Sequence, residues 1–257
     1  MVTPTANTDT LTKKQRMPKV LLQLNNIHKS FGAQVILDGA GASFAENQKI
    51  GVIGRNGAGK STLFEIITGF YRPDAGEVRL DGRRLTGLSP DRVCRLGVAR
   101  TFQKLRPFPG MTVLDNVVVG ALTRTHDVRH AREQARQVLE RVGLGDKITA
   151  HARTLSTGQR KRLELARALA TGPRLLLLDE VTGGVDQRSI PGLVRLVREL
   201  HEGGVTLMVI EHNMRVITAV AQRLVALYLG EVIADGPPDV VARDRRVVEA
   251  YLGQAYA

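Results

Sequence analysis

Along the chain the pattern of apolar and polar positions changes texture three times. Over residues 20–45 short apolar runs alternate with the turn formers Asn25, Asn26, Gly32, Asp38, Gly39 and Gly41, which predicts two or three antiparallel strands. Residues 49–54 form a compact strand. A glycine-rich stretch follows, and from 61 to 70 Leu63, Ile66, Ile67 and Phe70 recur at helical spacing, so the order is strand, loop, helix. A further strand is expected at 76–80, ending in Asp81-Gly82. Ser89-Pro90, a capping residue before the residue best suited to a first helical position, opens a helical region. Across 127–144 Val128, Ala131, Ala135, Val138, Leu139 and Val142 make one stripe, with arginines and glutamates on other faces. A mainly helical subdomain is expected at about 90–159.

Strand texture returns at 175–178, where every residue is leucine, as in a parallel strand buried on both faces, and again at 205–210. Between them 190–201 carries Leu193, Leu196, Val197 and Leu200 on one helical face and supplies the crossover. The fold class is α/β, with a wound sheet as core.

Composition narrows this picture. At 257 residues and 43% hydrophobic content, the chain is long enough for one large domain carrying a subdomain. One cysteine, Cys94, excludes an internal disulfide framework and fits a reducing compartment. No apolar run approaches the roughly 20 residues that cross a bilayer. Residues 1–19 lack an apolar segment and a cleavage site and read as a disordered basic arm. The net charge of +12 raises nucleic acid or an anionic membrane surface as a partner, but the arginines are dispersed instead of clustered.

The chemistry starts at residues 54–61. Gly54-Arg55-Asn56-Gly57-Ala58-Gly59-Lys60-Ser61 satisfies the G-x-x-x-x-G-K-[ST] spacing between a predicted strand and a predicted helix. Glycines let backbone amides turn inward around a triphosphate, and the helix N-terminus adds its dipole. Lys60 reaches outer phosphates, and the Ser61 hydroxyl can ligate Mg²⁺. A dinucleotide fingerprint would need different glycine spacing and has no use for the lysine.

The 175–178 strand delivers Asp179 and Glu180 at its carboxyl end, the edge where wound sheets bind ligands. Successive side chains point oppositely, so the acids take different tasks: Asp179 for Mg²⁺ or its water, Glu180 for polarising an attacking water. The 205–210 strand is followed similarly by Glu211-His212, which puts the His212 imidazole within reach of a γ-phosphate. Ser156 caps a helix that carries Leu163, Ala166 and Leu169, and Thr157-Gly158-Gln159 make its start a second anion cradle.

In this order the phosphate loop through Thr62, Thr101-Phe102-Gln103, the 155–159 run, the acidic strand and His212 resemble the ATP-binding-cassette family over about residues 20–254. The resemblance implies a P-loop (RecA-like) sheet with an N-terminal antiparallel β subdomain and an inserted helical subdomain, the last three residues being a tail. It also implies ATP and Mg²⁺, and a head-to-tail dimer in which Ser156, Gly158 and Gln159 of one subunit close on the nucleotide held by the other. It makes Gln103 a sensor of Mg²⁺ and water that touches a membrane partner, Asp186 a subunit-contacting acid, and Phe31 the platform for adenine. Taken alone, Gln103 reads as a loop amide, Asp186 as a helix cap, and Phe31 as a packed turn aromatic. Thr157, Val181 and Arg55 depart from common family residues without removing a catalytic group; Thr157 and Val181 bear on fine geometry and turnover.

The runs 97–103, 111–116, 211–214 and 250–253 look like ATPase subunits of branched-chain amino acid importers. That likeness implies a second ATPase subunit, integral membrane permeases and, indirectly, a substrate-binding protein, at the cytoplasmic face of the inner membrane. Urea, amide and lipopolysaccharide-export ATPases are alternatives within the family. A soluble ATP-switched nucleic-acid protein is the alternative of another class, motivated by the charge. Relatives of that kind insert long coiled coils or carry two cassettes, and this chain does neither.

Overall fold

The computed structural model describes residues 19–103 and 107–252, so the expected arm at 1–19, except Lys19, and the tail at 255–257 lie outside the described residues. The first strands are β1 (Val20–Phe31) and β2 (Gln34–Ala45), a long antiparallel pair. Of the residues expected to be turns, Gly32 makes the β1–β2 turn at φ 58°, and the others lie inside the strands. Asn26, at φ 51°, sits where the register slips between Leu24 and Ile27, and Asp38, Gly39 and Gly41 fall within β2. Such residues mark bulges here, which twist a long ribbon without ending it.

With β4 (Ala75–Leu80) and β5 (Arg83–Arg84) this pair forms a four-stranded antiparallel sheet in the order β2-β1-β4-β5. Asp81-Gly82 makes the β4–β5 turn, both residues at positive φ, as a tight primed turn requires.

The second sheet has the order β10-β9-β3-β8-β7-β6. It joins β3 (Lys49–Ile53), β6 (Val98–Arg100), β7 (Leu175–Asp179), β8 (Thr206–Ile210), β9 (Arg223–Tyr228) and β10 (Glu231–Gly236). All pairings are parallel except β9–β10. In β7 and β8 every residue is buried, and the alternation of the strand splits them between two cores. Leu176, Leu178, Leu207 and Val209 face the helices, while Leu175, Leu177, Met208 and Ile210 face α1 (Lys60–Ile67) and the four-stranded sheet. At roughly 1.5–3 kcal/mol per fully buried aliphatic side chain, this double burial fixes the central strands firmly.

The mainly helical stretch 90–159 also holds β6, which completes the sheet edge beside β7. Three residues are too short a run for alternation to reveal. The helix predicted at 61–70 ends at Ile67, where Thr68 returns its hydroxyl to the Phe64 carbonyl and Gly69 turns left-handed.

The helical part comprises α2 (Pro90–Arg95), α3 (Val113–Ala121), α4 (Val128–Arg141) and α5 (Thr157–Ala170). Ser89 is the N-cap of α2 as expected, but its hydroxyl goes to the Asp91 carboxylate. In α4 Ala131, Ala135 and Leu139 are buried, whereas Val128, assigned to the same stripe, is exposed at the first turn. Helices α6 (Ile190–Glu202), α7 (Met214–Val220), α8 (Pro238–Val241) and α9 (Arg245–Leu252) complete the fold. No helix among the described residues is long and apolar enough to cross a membrane.

Candidate functional site

Four neighbouring strands, β3, β8, β7 and β6, deliver the expected site residues to one sheet edge. After β3 the chain runs through the phosphate loop into α1. Gly59 has φ 96°, and a Cβ there would lie 2.7 Å from the Ile36 carbonyl oxygen, so only glycine lets the loop close against β2. Lys60 is buried, and its Nζ donates to the carbonyls of Gly54 at 2.7 Å and Arg55 at 2.9 Å. Burial pushes its pKa below the ordinary lysine value, while the carboxylates of Glu180 and Asp179 pull the other way.

Asn56, Gly57, Ala58, Gly59, Lys60, Ser61 and Thr62 line a cleft of about 710 Å³ together with Gln103, Glu180 and His212, and Gln34 and Ile36 close its β2 side. Within this lining the Glu180 carboxylate is held through both of its oxygens. Gln103 Nε2 donates to Oε2 at 2.9 Å, and His212 Nε2 lies 2.9 Å from Oε1. A carboxylate so placed opposite a phosphate loop can accept a proton from a water aimed at a bound phosphate.

Asp179, at the end of β7, is almost fully buried and is not among the residues lining the cleft. Its Oδ2 takes a hydrogen bond from Arg100 Nη2 at 3.2 Å, and Oδ1 has no partner. Burial raises its pKa, and the Arg100 charge opposes that rise. Among the described residues there is no group of three or more His, Cys, Asp or Glu that could cage a metal. A divalent ion at this edge would therefore lean on phosphate oxygens, as Mg²⁺ commonly does. The Ser61 hydroxyl on the cleft wall and the unpartnered Oδ1 of Asp179 fit such an ion.

The other expected residues lie apart. Phe31 ends β1 opposite Gln34, exposed and edge-on to Tyr71 with ring centroids 5.2 Å apart, and is not among the residues lining the cleft. Arg55 contributes its carbonyl to Lys60 and leaves its side chain exposed. Ser156 caps α5 in a reciprocal box with Gln159: each accepts through its side-chain oxygen from the other's backbone amide. These residues and Gly158 lie outside their own chain's cleft. Asp186 forms a local turn, accepting from the Arg188 amide and the Ser189 hydroxyl.

Several supporting residues escaped the sequence reading. Lys161, buried on α5, donates to the Glu180 carbonyl at 2.7 Å. Glu211 accepts from both the amide and the hydroxyl of Thr182, tying β8 to the turn after Glu180. Arg100 pairs with Asp179 from the end of β6. A lysine four and eight residues before Leu165 and Leu169, on a buried helical face, was a usable signal for Lys161. For Arg100 no local pattern marked the partner.

The ABC transporter profile matches residues 37–183. The chain belongs to the ABC transporter family. A second profile, of the branched-chain amino acid ATP-binding cassette transporter, matches residues 231–257 of the cassette. The high-affinity branched-chain amino acid transport ATP-binding protein BraF of Pseudomonas aeruginosa is 36% identical over 255 residues, covering 93% of this chain and 100% of that one. A nucleotide-free ATP-binding cassette from an ABC transporter superposes with a TM-score of 0.83 at 32% identity, over 91% of this chain and 100% of that one. A dimeric bacterial ABC transporter cassette gives 0.77 at 26% identity, over 85% and 99%. The cassette thus binds nucleotide and is an ATPase, the energy-supplying subunit of a transporter.

Proposed function

We propose that this cassette powers import of branched-chain or related amino acids, as one of a head-to-tail pair of ATPase subunits bound to integral membrane permeases at the cytoplasmic face of the inner membrane. The solute class is supported by the likeness to BraF and by the profile over residues 231–257. A substrate-binding protein would act indirectly, through the permease.

The observation that carries the chemistry is the Glu180 carboxylate poised between Gln103 and His212 across the cleft from Lys60. On binding ATP, Lys60 exchanges the Gly54 and Arg55 carbonyls for phosphate oxygens, a swap that keeps its ammonium satisfied. Ser61 and Asp179, with Gln103, would hold Mg²⁺, which would supply neutralisation of charge on the transferring phosphate. Glu180 orients and deprotonates the attacking water, and His212 releases the carboxylate to meet the γ-phosphate. Ser156 and Gly158 complete the partner's site at the outward start of α5, with Gln159 holding the cap in shape. Phe31, paired in register with Gln34 of the cleft wall, supports the adenine where it extends beyond the cleft, and Asp186 faces the partner.

A groove of about 290 Å³ between β6 and the helical part, lined by Phe70, Cys94, Phe102 and Val119, lies one residue from Gln103. We assign it to the permease, which places the membrane partner next to a residue that touches Glu180.

Glu180→Gln is expected to keep ATP binding, lose turnover by about three orders of magnitude as for a missing general base, and accumulate as a dimer with ATP. Rapid phosphate release by that variant would overturn the assignment. Purification of the assembled complex and a screen for solutes that stimulate its ATPase tests the import reading. Stimulation by unrelated solutes, with none by aliphatic amino acids, would reject it.

A further inference from the structure

The run Ala250-Tyr251-Leu252-Gly253 has no part in the site described so far, yet it reaches that site's root. Tyr251 lies on α9, 197 residues from Gly54, and its hydroxyl oxygen accepts a hydrogen bond from the Gly54 amide at 2.6 Å. Gly54 is the first residue of the phosphate loop, and its carbonyl accepts from Lys60 Nζ. One peptide segment is thus held at its N–H by Tyr251 and at its C=O by the lysine that must move to reach phosphate.

The surroundings make this contact rigid. Tyr251 packs against the core on the helical side of the sheet. A Cβ on Gly54 would come within 2.3 Å of the Leu227 carbonyl oxygen, so β9 abuts the same residue. The root of the loop sits between the end of β9 and a helix that approaches the chain terminus.

We infer that Tyr251 is a positioning residue for the phosphate loop: by holding the Gly54 amide it keeps the root of the loop fixed while Lys60 shifts from its own carbonyls to nucleotide. The inference rests on the nucleotide reading of the cleft. A loop already ordered gives up less freedom when ligand arrives, so the contact favours binding without touching the reacting atoms. Its loss also leaves the Gly54 amide without its partner in a part-buried setting.

Tyr251→Phe in the full chain tests this, because phenylalanine keeps the packing and removes only the acceptor. With ADP and Mg²⁺ as the calorimetric probe, the dissociation constant is expected to rise about 3- to 10-fold, the range of one lost hydrogen bond. The KM for ATP should rise in parallel, with kcat changed by less than about twofold, since the tyrosine lies outside the reacting atoms. Glu249→Gln removes an ion pair with Arg245 elsewhere on α9 and serves as the control for a general loosening of that helix. Wild-type affinity in Tyr251→Phe, or an equal loss in Glu249→Gln, would overturn the positioning role. Failure of the wild-type chain itself to take up ADP would instead overturn the nucleotide reading, and this inference with it.

Discussion

Glu180 occupies the left-handed region at φ 49°, a conformation that costs a side-chain-bearing residue roughly 1–2 kcal/mol. Its neighbours hold it there. The Glu180 amide donates to the Ile210 carbonyl at 3.0 Å, and its own carbonyl accepts from Lys161 at 2.7 Å, so the backbone is fixed on both sides while the carboxylate enters the cleft. Lys161→Met should release the carbonyl and blur the aim of the carboxylate. A charged hydrogen bond contributes about 1.5–3 kcal/mol, so kcat is expected to fall roughly 10- to 100-fold with nucleotide affinity retained, as steady-state kinetics and ADP titration would show. Glu211 offers a pH test. Burial raises its pKa above the ordinary glutamate value, so just above that value the native state holds a proton that the unfolded chain has released. Its contribution to stability therefore declines as pH rises through that window. Glu211→Gln still accepts from Thr182 but cannot ionise. Its melting temperature, relative to wild type, should be more favourable at pH 8 than at pH 5.

At the level of elements, α5 caps itself and, on the proposed pairing, serves a second purpose. Its reciprocal cap satisfies backbone amides that would otherwise be orphaned, and the same residues form the expected surface for a partner's nucleotide. Ser156→Ala should cost about 0.5–2 kcal/mol through the cap alone, read as a modest drop in melting temperature. A loss of ATPase much larger than the loss of folded protein would reveal the second purpose. Elements whose pattern is local were legible in the sequence: the all-leucine β7, the loop with its fixed lysine spacing, and the capped α5. Elements shaped by distant partners were not. The bulges at Asn26 and Gly39 carry turn residues because β1 and β2 must twist, and β6 is a strand only because β7 lies beside it. The antiparallel pair β9 and β10 went unread altogether, although the Leu229-Gly230 turn, both residues at positive φ, marks its bend.

Across the whole molecule, the cleft residues recognised from the sequence come from four strands whose adjacency no single stretch encodes, and the family order of the segments supplied that adjacency in advance. Contacts that support them from afar, such as Arg100 with Asp179 and Tyr251 with Gly54, depend on the assembled sheet and leave no local trace. On the head-to-tail pairing proposed above, the cap of α5, which lies outside its own chain's cleft, serves the partner, so a solitary copy carries a half-built site. Such a catalyst should obey second-order kinetics in itself. Phosphate release per mole of isolated subunit is expected to climb with protein concentration and level off once pairs predominate, and dilution should silence it. Tethered to a permease that brings two copies together, the same chain would lose that dependence, and its output would be set by the membrane complex instead of by abundance.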